Sequence, residues 1–342
     1  MDVQSDGGTT PANEPPVRVI YIMGAARTGS TLLDIILGGH GQIESLGELS
    51  LLPSLGWKEN GYCACGQRAA DCSFWSRVRQ EWAARAGTDD VAAYDALVRR
   101  IEYSKSRSLQ AAGSLKAWPP FQAYARQTRA LFQAIRAVSG KAAIVDSSKI
   151  FVRARALMLV GGIDVRIVHL VRDARGVVWS SKKPFTKDHR AGLIRDVAPR
   201  SCWRMSAGWL RANLGAELVR RRAGTGRSVR IQYEELIDHP RRALAEIGRV
   251  AGFDLDALGQ TVAAGEPVAV GHVIAGNRLR MAGQVKLRRD VEWLSRLAPG
   301  DRRLCWALTG WLMRRYGYER EPECPDLRLS AAEAESRNRQ VA

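Results

Sequence analysis

Residues 21–40 read YIMGAARTGSTLLDIILGGH. An apolar run, Val17–Met23, leads into Gly24-Ala25-Ala26-Arg27-Thr28-Gly29-Ser30-Thr31, and a helical apolar pattern follows. In outline this is a phosphate-binding loop. Its two glycines let the backbone turn its N–H groups inward, and the helix begun by Ser30 and Thr31 offers its positive dipole end to an anion. A loop for a nucleoside triphosphate carries a lysine just before the hydroxyl residue, to reach the β- and γ-phosphates. Here Ser30 stands in that place and the loop's cation is Arg27. An arginine there can clamp an anion from the side by a forked contact. Such a loop suits a terminal group on a single 5′-phosphate better than a magnesium triphosphate.

A second stretch, RIVHLVRDARGVVWS over residues 166–180, puts Arg172 at a strand end and Ser180 about two helical turns further on. The pair can hold one more phosphate, or Arg172 and Asp173 can simply cap a helix. Three acid–base candidates follow the first helix in HGQIESLGELS: His40, Glu44 and Glu48. Ser45-x-x-Glu48 also reads as a capping box, and His40 as a residue complementing a helix C-terminus. In VDSSK, Asp146 and Lys149 fall near another strand end, with Ser148 as a further contact. Cys63, Cys65 and Cys72 cluster, but a structural zinc site takes four ligands and only three cysteines are local. The spacing therefore reads as free thiols, with no metal site.

These residues need a scaffold with several strand ends at one edge. Four β-branched runs, Val17–Met23, Ala142–Val145, Val165–Val171 and Ser228–Gln232, alternate with helical patterns. That alternation predicts an α/β fold with a central parallel sheet flanked by helices, binding its ligand at the carboxyl ends of the strands. Helical patterns run over about 71–139, with Pro119-Pro120 opening the last helix, and over 199–222, 240–251 and 301–316, while 264–290 is irregular and basic. The expected organisation is a disordered tail over 1–16, a single domain over 17–320 with a helical cap over about 50–140, and a flexible tail over 321–342. Aromatics of the cap, Trp57, Tyr62, Phe74, Trp75, Trp118, Phe121 and Tyr124, either stack on an acceptor or pack the cap itself.

The 342 residues are 46% hydrophobic, enough for a sizeable core. Lys and Arg exceed Asp and Glu by 52 to 35, a net charge of +17, which calls for an anionic partner or serves solubility. No apolar run reaches the ~18 residues of a spanning helix, though peripheral membrane contact stays open. The N-terminus has no apolar segment of a secretory signal. With few cysteines for this length, the expected location is the cytoplasm.

Taken together, the loop at 24–31 and the VRD-x-R segment ending in Ser180 resemble the bacterial sulfotransferases that use 3′-phosphoadenosine 5′-phosphosulfate (PAPS), distantly similar to protein-tyrosine sulfotransferases. Val145-Asp-Ser-Ser-Lys149, Gln232-Tyr-Glu-Glu-Leu236, Gly276-Asn-Arg-Leu-Arg280 and Tyr316-Gly-Tyr318 extend the resemblance across most of 17–318. It implies a P-loop-like sulfotransferase fold and transfer of a sulfuryl group from PAPS to a hydroxyl, without a required metal. It implies that Gly24, Ala26, Arg27, Thr28, Gly29, Ser30 and Thr31 hold the 5′-phosphosulfate. Arg172 and Ser180 would hold the 3′-phosphate. Asn277, Arg278 and Arg280 would close over the nucleotide, and Tyr233 would order its turn. Arg27 and Lys149 would stabilise charge, with Glu48 as the base ahead of His40. The acceptor would be a small molecule, carbohydrate or glycolipid rather than a nucleic acid. Two readings compete: a P-loop kinase, and a basic binder of nucleic acid or anionic surfaces.

Overall fold

The computed structural model describes residues 14–103, 112–183, 188 and 198–322. Most of the two tails expected at the termini lies outside the described residues. At the edge of the first, Glu14 pairs with Arg85 at 3.0 Å and Arg136 at 2.5 Å.

Strand β1 (Val17–Met23) runs into helix α1 (Ser30–Gly38), followed by a short β2 (Ile43–Ser45). Helices α2 (Ser73–Ala86), α3 (Val91–Glu102), α4 (Ala112–Ala117) and α5 (Pro119–Ser139) then lead to β3 (Ala143–Lys149). Pro119 and Pro120 open α5, where a missing N–H costs nothing. Next come α6 (Phe151–Leu157), β4 (Ile163–Val171), α7 (Ala174–Lys182), α8 (Cys202–Ala223) and β5 (Ser228–Gln232). Helices α9 (Tyr233–Asp238), α10 (Pro240–Ala251) and α11 (Asp256–Ala263) follow. A small antiparallel pair, β6 (Val268–Ala269) and β7 (Gln284–Val285), precedes α12 (Glu292–Arg296) and α13 (Pro299–Arg315).

The five main strands form one parallel sheet in the order β2-β3-β1-β4-β5. β1 is central and buried on both faces, and its side chains alternate. Val19, Tyr21 and Met23 join a core with α2, α3, α5 and α6, whereas Ile20 and Ile22 face α1 and α10. The chain winds one way from β1 to β2 and the other way from β3 to β4, so the loop after β1 sits at the switch of strand order, where such sheets bind ligands.

Beyond small shifts at the starts of β3 and β4, at Ala143 and Ile163, two features differ from the sequence expectation. The sheet has a fifth strand, β2, three residues long and set against β3. β3 also runs to Lys149 rather than ending at Val145, because tertiary partners satisfy its polar residues. Asp146, Ser147 and Ser148 are all buried. The cap helices share one apolar cluster with the sheet, and Trp57, Phe74, Trp75, Phe121 and Tyr124 are buried inside it. Their burial favours packing of the cap over acceptor stacking. Among the described residues no helix is long and apolar enough to cross a membrane.

Arg153 of α6 is fully buried between two carboxylates. Its Nε donates to Asp146 at 2.8 Å and its terminal nitrogen to Glu102 of α3, which also accepts from Tyr124 at 2.8 Å. This ties cap to sheet, and removing the cation would strand two buried acids. Arg153→Met is expected to cost about 3–5 kcal/mol, read as a lower urea midpoint with unchanged slope. A loss under about 1 kcal/mol would show that the two acids find other partners.

Candidate active site

The loop after β1 takes its shape from three unusual backbone positions. Gly24 has φ +152°, and a Cβ there would lie 2.3 Å from the Leu170 carbonyl oxygen. Gly29 has φ +92°, and its Cβ would meet the Tyr233 ring at 2.6 Å. Arg27 itself is left-handed at φ +69°, a costly conformation for a non-glycine residue. Thr28 is buried and its hydroxyl donates to Ala25 O at 2.9 Å, closing the turn. No side chain caps α1, so its first N–H groups face the loop as donors for an anion. Ser30 and Thr31 are buried at this helix start, whereas Ala26 lies exposed at the loop's outer edge.

Arg172 leaves the end of β4 and turns to this loop. It donates to Arg27 O at 3.1 Å and to Asp290 at 2.9 Å, and its guanidinium lies 4.6 Å from the Tyr233 ring centroid. Arg27 Nε donates in turn to Ser180 Oγ of α7 at 3.0 Å. The two motifs therefore meet side chain to side chain. Burial, then the neighbouring guanidinium groups of Arg172 and Arg278, push the Arg27 pKa below the ordinary arginine value. Cations gathered in this way are chemically able to hold an anion. Asp173 plays the other role open to the Arg-Asp pair: it caps α7 by accepting from Arg175 N at 2.8 Å.

Behind Arg172 the terminal Tyr-Gly-Tyr segment braces β4. The Tyr318 hydroxyl donates to Glu234 at 2.7 Å, and Glu234 accepts from Asp173 N at 3.2 Å. Tyr233 is buried, with its hydroxyl donating to Arg288 O at 3.3 Å, so its ring forms a wall between Gly29 and Arg172.

On the other side of β1, Glu48 and Lys149 pair at 2.5 Å, with Lys149 held at φ +70°. Both are part-buried. Glu48 N donates to Ala275 O at 3.3 Å, and Asn277 N to Thr31 Oγ1 at 3.2 Å, so the late loop lies across the α1 start and beside Glu48. The Glu48 side chain caps no helix, and Ser45 donates to Asp34 at 2.7 Å instead, so the capping box is not formed.

Two candidates need correction. His40 lies beyond the C-terminal end of α1, a nine-residue helix that starts at the loop. Its Nδ1 accepts from Gln42 N at 3.2 Å and its ring packs edge-on against Phe253, so it is carried away from the strand ends. Arg280 is buried and turned inward, donating to Tyr62 O at 2.7 Å and Val273 O at 3.4 Å; Arg278 is the exposed arginine of this turn. Ser148 also turns away, donating to Asp146 at 2.5 Å. That bond and Arg153 engage both oxygens of Asp146, which leaves it badly placed to hold magnesium for a kinase. The sequence reading overlooked Asp290, which partners Arg172 from a loop with no motif to mark it.

The profile of the sulfotransferase family matches residues 19–257, most of the chain. The chain belongs to the sulfotransferase family. Membership makes this sulfotransferase-family protein a transferase of sulfuryl groups in general. The sulfotransferase domain from the curacin biosynthetic pathway superposes with a TM-score of 0.51 at 16% identity, covering 90% of this chain and 99% of that domain, and so shares the fold. The sulfotransferase domain from the Synechococcus PCC 7002 olefin synthase aligns at 19% identity and a TM-score of 0.47, over 91% of this chain and 98% of that domain. No curated protein sequence matches the chain.

Asp34 of α1 lies under the site, fully buried. Burial pushes its pKa up to about 7, against the bonds it accepts from Ser147 and Ser45. The folded state thus holds a proton that the unfolded chain, titrating near 3.8, gives up earlier. Stability present at low pH is lost as pH rises through about 7. Thermal melts from pH 5 to 8 should show this decline in the parent and a flatter profile in Asp34→Asn. Equal slopes would place the titration elsewhere.

Proposed function

We propose that the protein transfers the sulfuryl group of PAPS to a hydroxyl of a small-molecule or carbohydrate acceptor, in the cytoplasm. The observation that carries this reading is the meeting of Arg27, Arg172 and Ser180 at a loop whose lysine position is a buried serine. Two anionic groups on one nucleotide, a 5′-phosphosulfate and a 3′-phosphate, would use such a divided set of donors. The backbone N–H groups of Gly29, Ser30 and Thr31 with Arg27 would hold the first. Arg172, Ser180 and the exposed Arg278 would hold the second, in competition with Asp290.

Glu48 is the proposed base. The acceptor oxygen would form its bond to sulfur as the bond from sulfur to the 5′-phosphate oxygen breaks. Glu48 would take the hydroxyl proton, and adenosine 3′,5′-bisphosphate would leave. Lys149, hydrogen-bonded to Glu48, would orient that carboxylate and neutralise charge on the sulfuryl oxygens. Positioning and fixed charge would supply most of the rate, as in phosphoryl transfer.

Thermal unfolding with adenosine 3′,5′-bisphosphate and, separately, with ATP and Mg²⁺ tests the reading. At ~100 times its dissociation constant a ligand stabilises by about 2.7 kcal/mol. The bisphosphate should raise the melting temperature, and Arg172→Ala should abolish the rise. Stabilisation by ATP and Mg²⁺ alone would overturn the reading in favour of a kinase. Once an acceptor is found, Glu48→Gln should lower kcat by about 10²–10⁴-fold while leaving the bisphosphate shift intact. An unchanged kcat would remove Glu48 as base.

A further inference from the structure

We propose that Cys63, Cys65, Cys72 and His272 form a zinc site that pins the late loop to the start of the cap. The sequence offers only the three cysteines; folding supplies the fourth ligand from some two hundred residues away. One ligand atom from each residue lies within 4.8 Å of all the others. Cys65 Sγ is 3.6 Å from Cys72 Sγ, and His272 Nδ1 is 3.3 Å from Cys72 Sγ and 3.7 Å from Cys63 Sγ. A tetrahedral zinc ion, with bonds of about 2.3 Å to sulfur and about 2.0–2.1 Å to nitrogen, requires S–S edges of about 3.8 Å and S–N edges of about 3.6 Å. The three contacts lie close to these edges, and the remaining pairs are all within 4.8 Å, a spread that small side-chain rotations would close around an ion.

The surroundings hold the donors in place. Cys63 N donates to Gln67 O at 2.8 Å and Gly66 N to Cys63 O at 3.0 Å, with Gly66 at φ +88°, so the first two cysteines lie on a tight turn. Cys72 N donates to Arg68 O at 2.8 Å and stands immediately before α2. The His272 ring stacks on Phe74 with centroids 4.9 Å apart and planes at 5°, and Trp75 Nε1 donates to His272 O at 2.8 Å. The stack fixes the orientation that aims Nδ1 at the sulfurs, and the Trp75 bond anchors the His272 backbone, roles typical of groups surrounding a metal's ligands. Thiols are weak hydrogen-bonding groups, so three of them facing one imidazole gain little from one another. A disulfide would use two sulfurs and leave the third sulfur and Nδ1 without a purpose. Three sulfurs and one nitrogen select a soft, tetrahedral ion over magnesium or calcium, and four protein ligands leave no open position for catalysis.

The site would therefore be structural. Ala64 N donates to Val273 O at 2.9 Å, next to the proposed ligand His272, and the same segment continues to Ala275 and Asn277, which contact Glu48 and Thr31. An ion here would fix the wall that closes over the α1 start. The inference does not depend on which nucleotide the protein uses.

The experiment is metal analysis of the full-length protein purified under reducing conditions without chelator. About one zinc per chain is expected, as a four-ligand site dictates. Cys65→Ser, at the exposed cysteine, and His272→Ala should each lose most of it, while Cys202→Ser, in a different apolar cluster, should keep it. Cobalt added to the stripped protein should give the visible bands of tetrahedral thiolate coordination, absent in Cys65→Ser. If His272→Ala fails to fold, zinc content and cobalt spectra of the parent and Cys65→Ser decide. The proposal is overturned if the reduced parent neither contains zinc nor binds cobalt. It is also overturned if Cys65→Ser retains the parent's zinc, or if mass analysis finds Cys65 and Cys72 joined as a disulfide.

Discussion

Like charges gather only where a fold forces them together. Burial, and then repulsion from Arg172 and Arg278, lower the Arg27 pKa, and Arg200 adds to the same field. Much of the surrounding architecture can be understood as the means of holding them there. The loop after β1 needs glycine at 24 and 29 because the Leu170 carbonyl and the Tyr233 ring leave no room for a Cβ. Arg27 accepts a left-handed backbone and reaches Ser180. Arg172 is kept in place by the carbonyl of Arg27, by Asp290 and by the face of Tyr233. The cost of this convergence is met by packing elsewhere, as is usual where backbone strain and charge accumulate at a functional site.

The other half of the site depends on a different device. β3 carries a run of polar residues into the interior, which is affordable only because each finds a partner. Asp146 meets Arg153 and Ser148, and Ser147 donates to Asp34 at 2.6 Å. With those bonds made, the strand continues to Lys149 and delivers it to Glu48. The Arg153 cluster lies between the cap and the sheet, so the geometry of the Glu48–Lys149 pair is coupled to the docking of the cap. A buried ion cluster of this kind contributes little net stability compared with apolar packing.

The sequence by itself determined β1 and β5 to the residue and the end of β4, because β-branched runs between turn residues have few alternatives. It also determined the glycine turn between β1 and α1, since two glycines between an apolar run and a helical pattern leave the backbone few other courses. Tertiary structure alone decided what depends on distant partners. The three residues of β2 have no periodicity to detect, and β3 looked short because its end is polar until Arg153 and Asp34 are present. Of the two arginines in the late turn, Arg278 faces out and Arg280 is spent on the Tyr62 carbonyl, a choice set by packing. His40 follows the first helix in sequence but lies past its far end. Asp290 meets Arg172 and His272 meets the cysteines across separations that no local pattern spans, because side chains far apart in the chain become neighbours only when the sheet and its loops have closed.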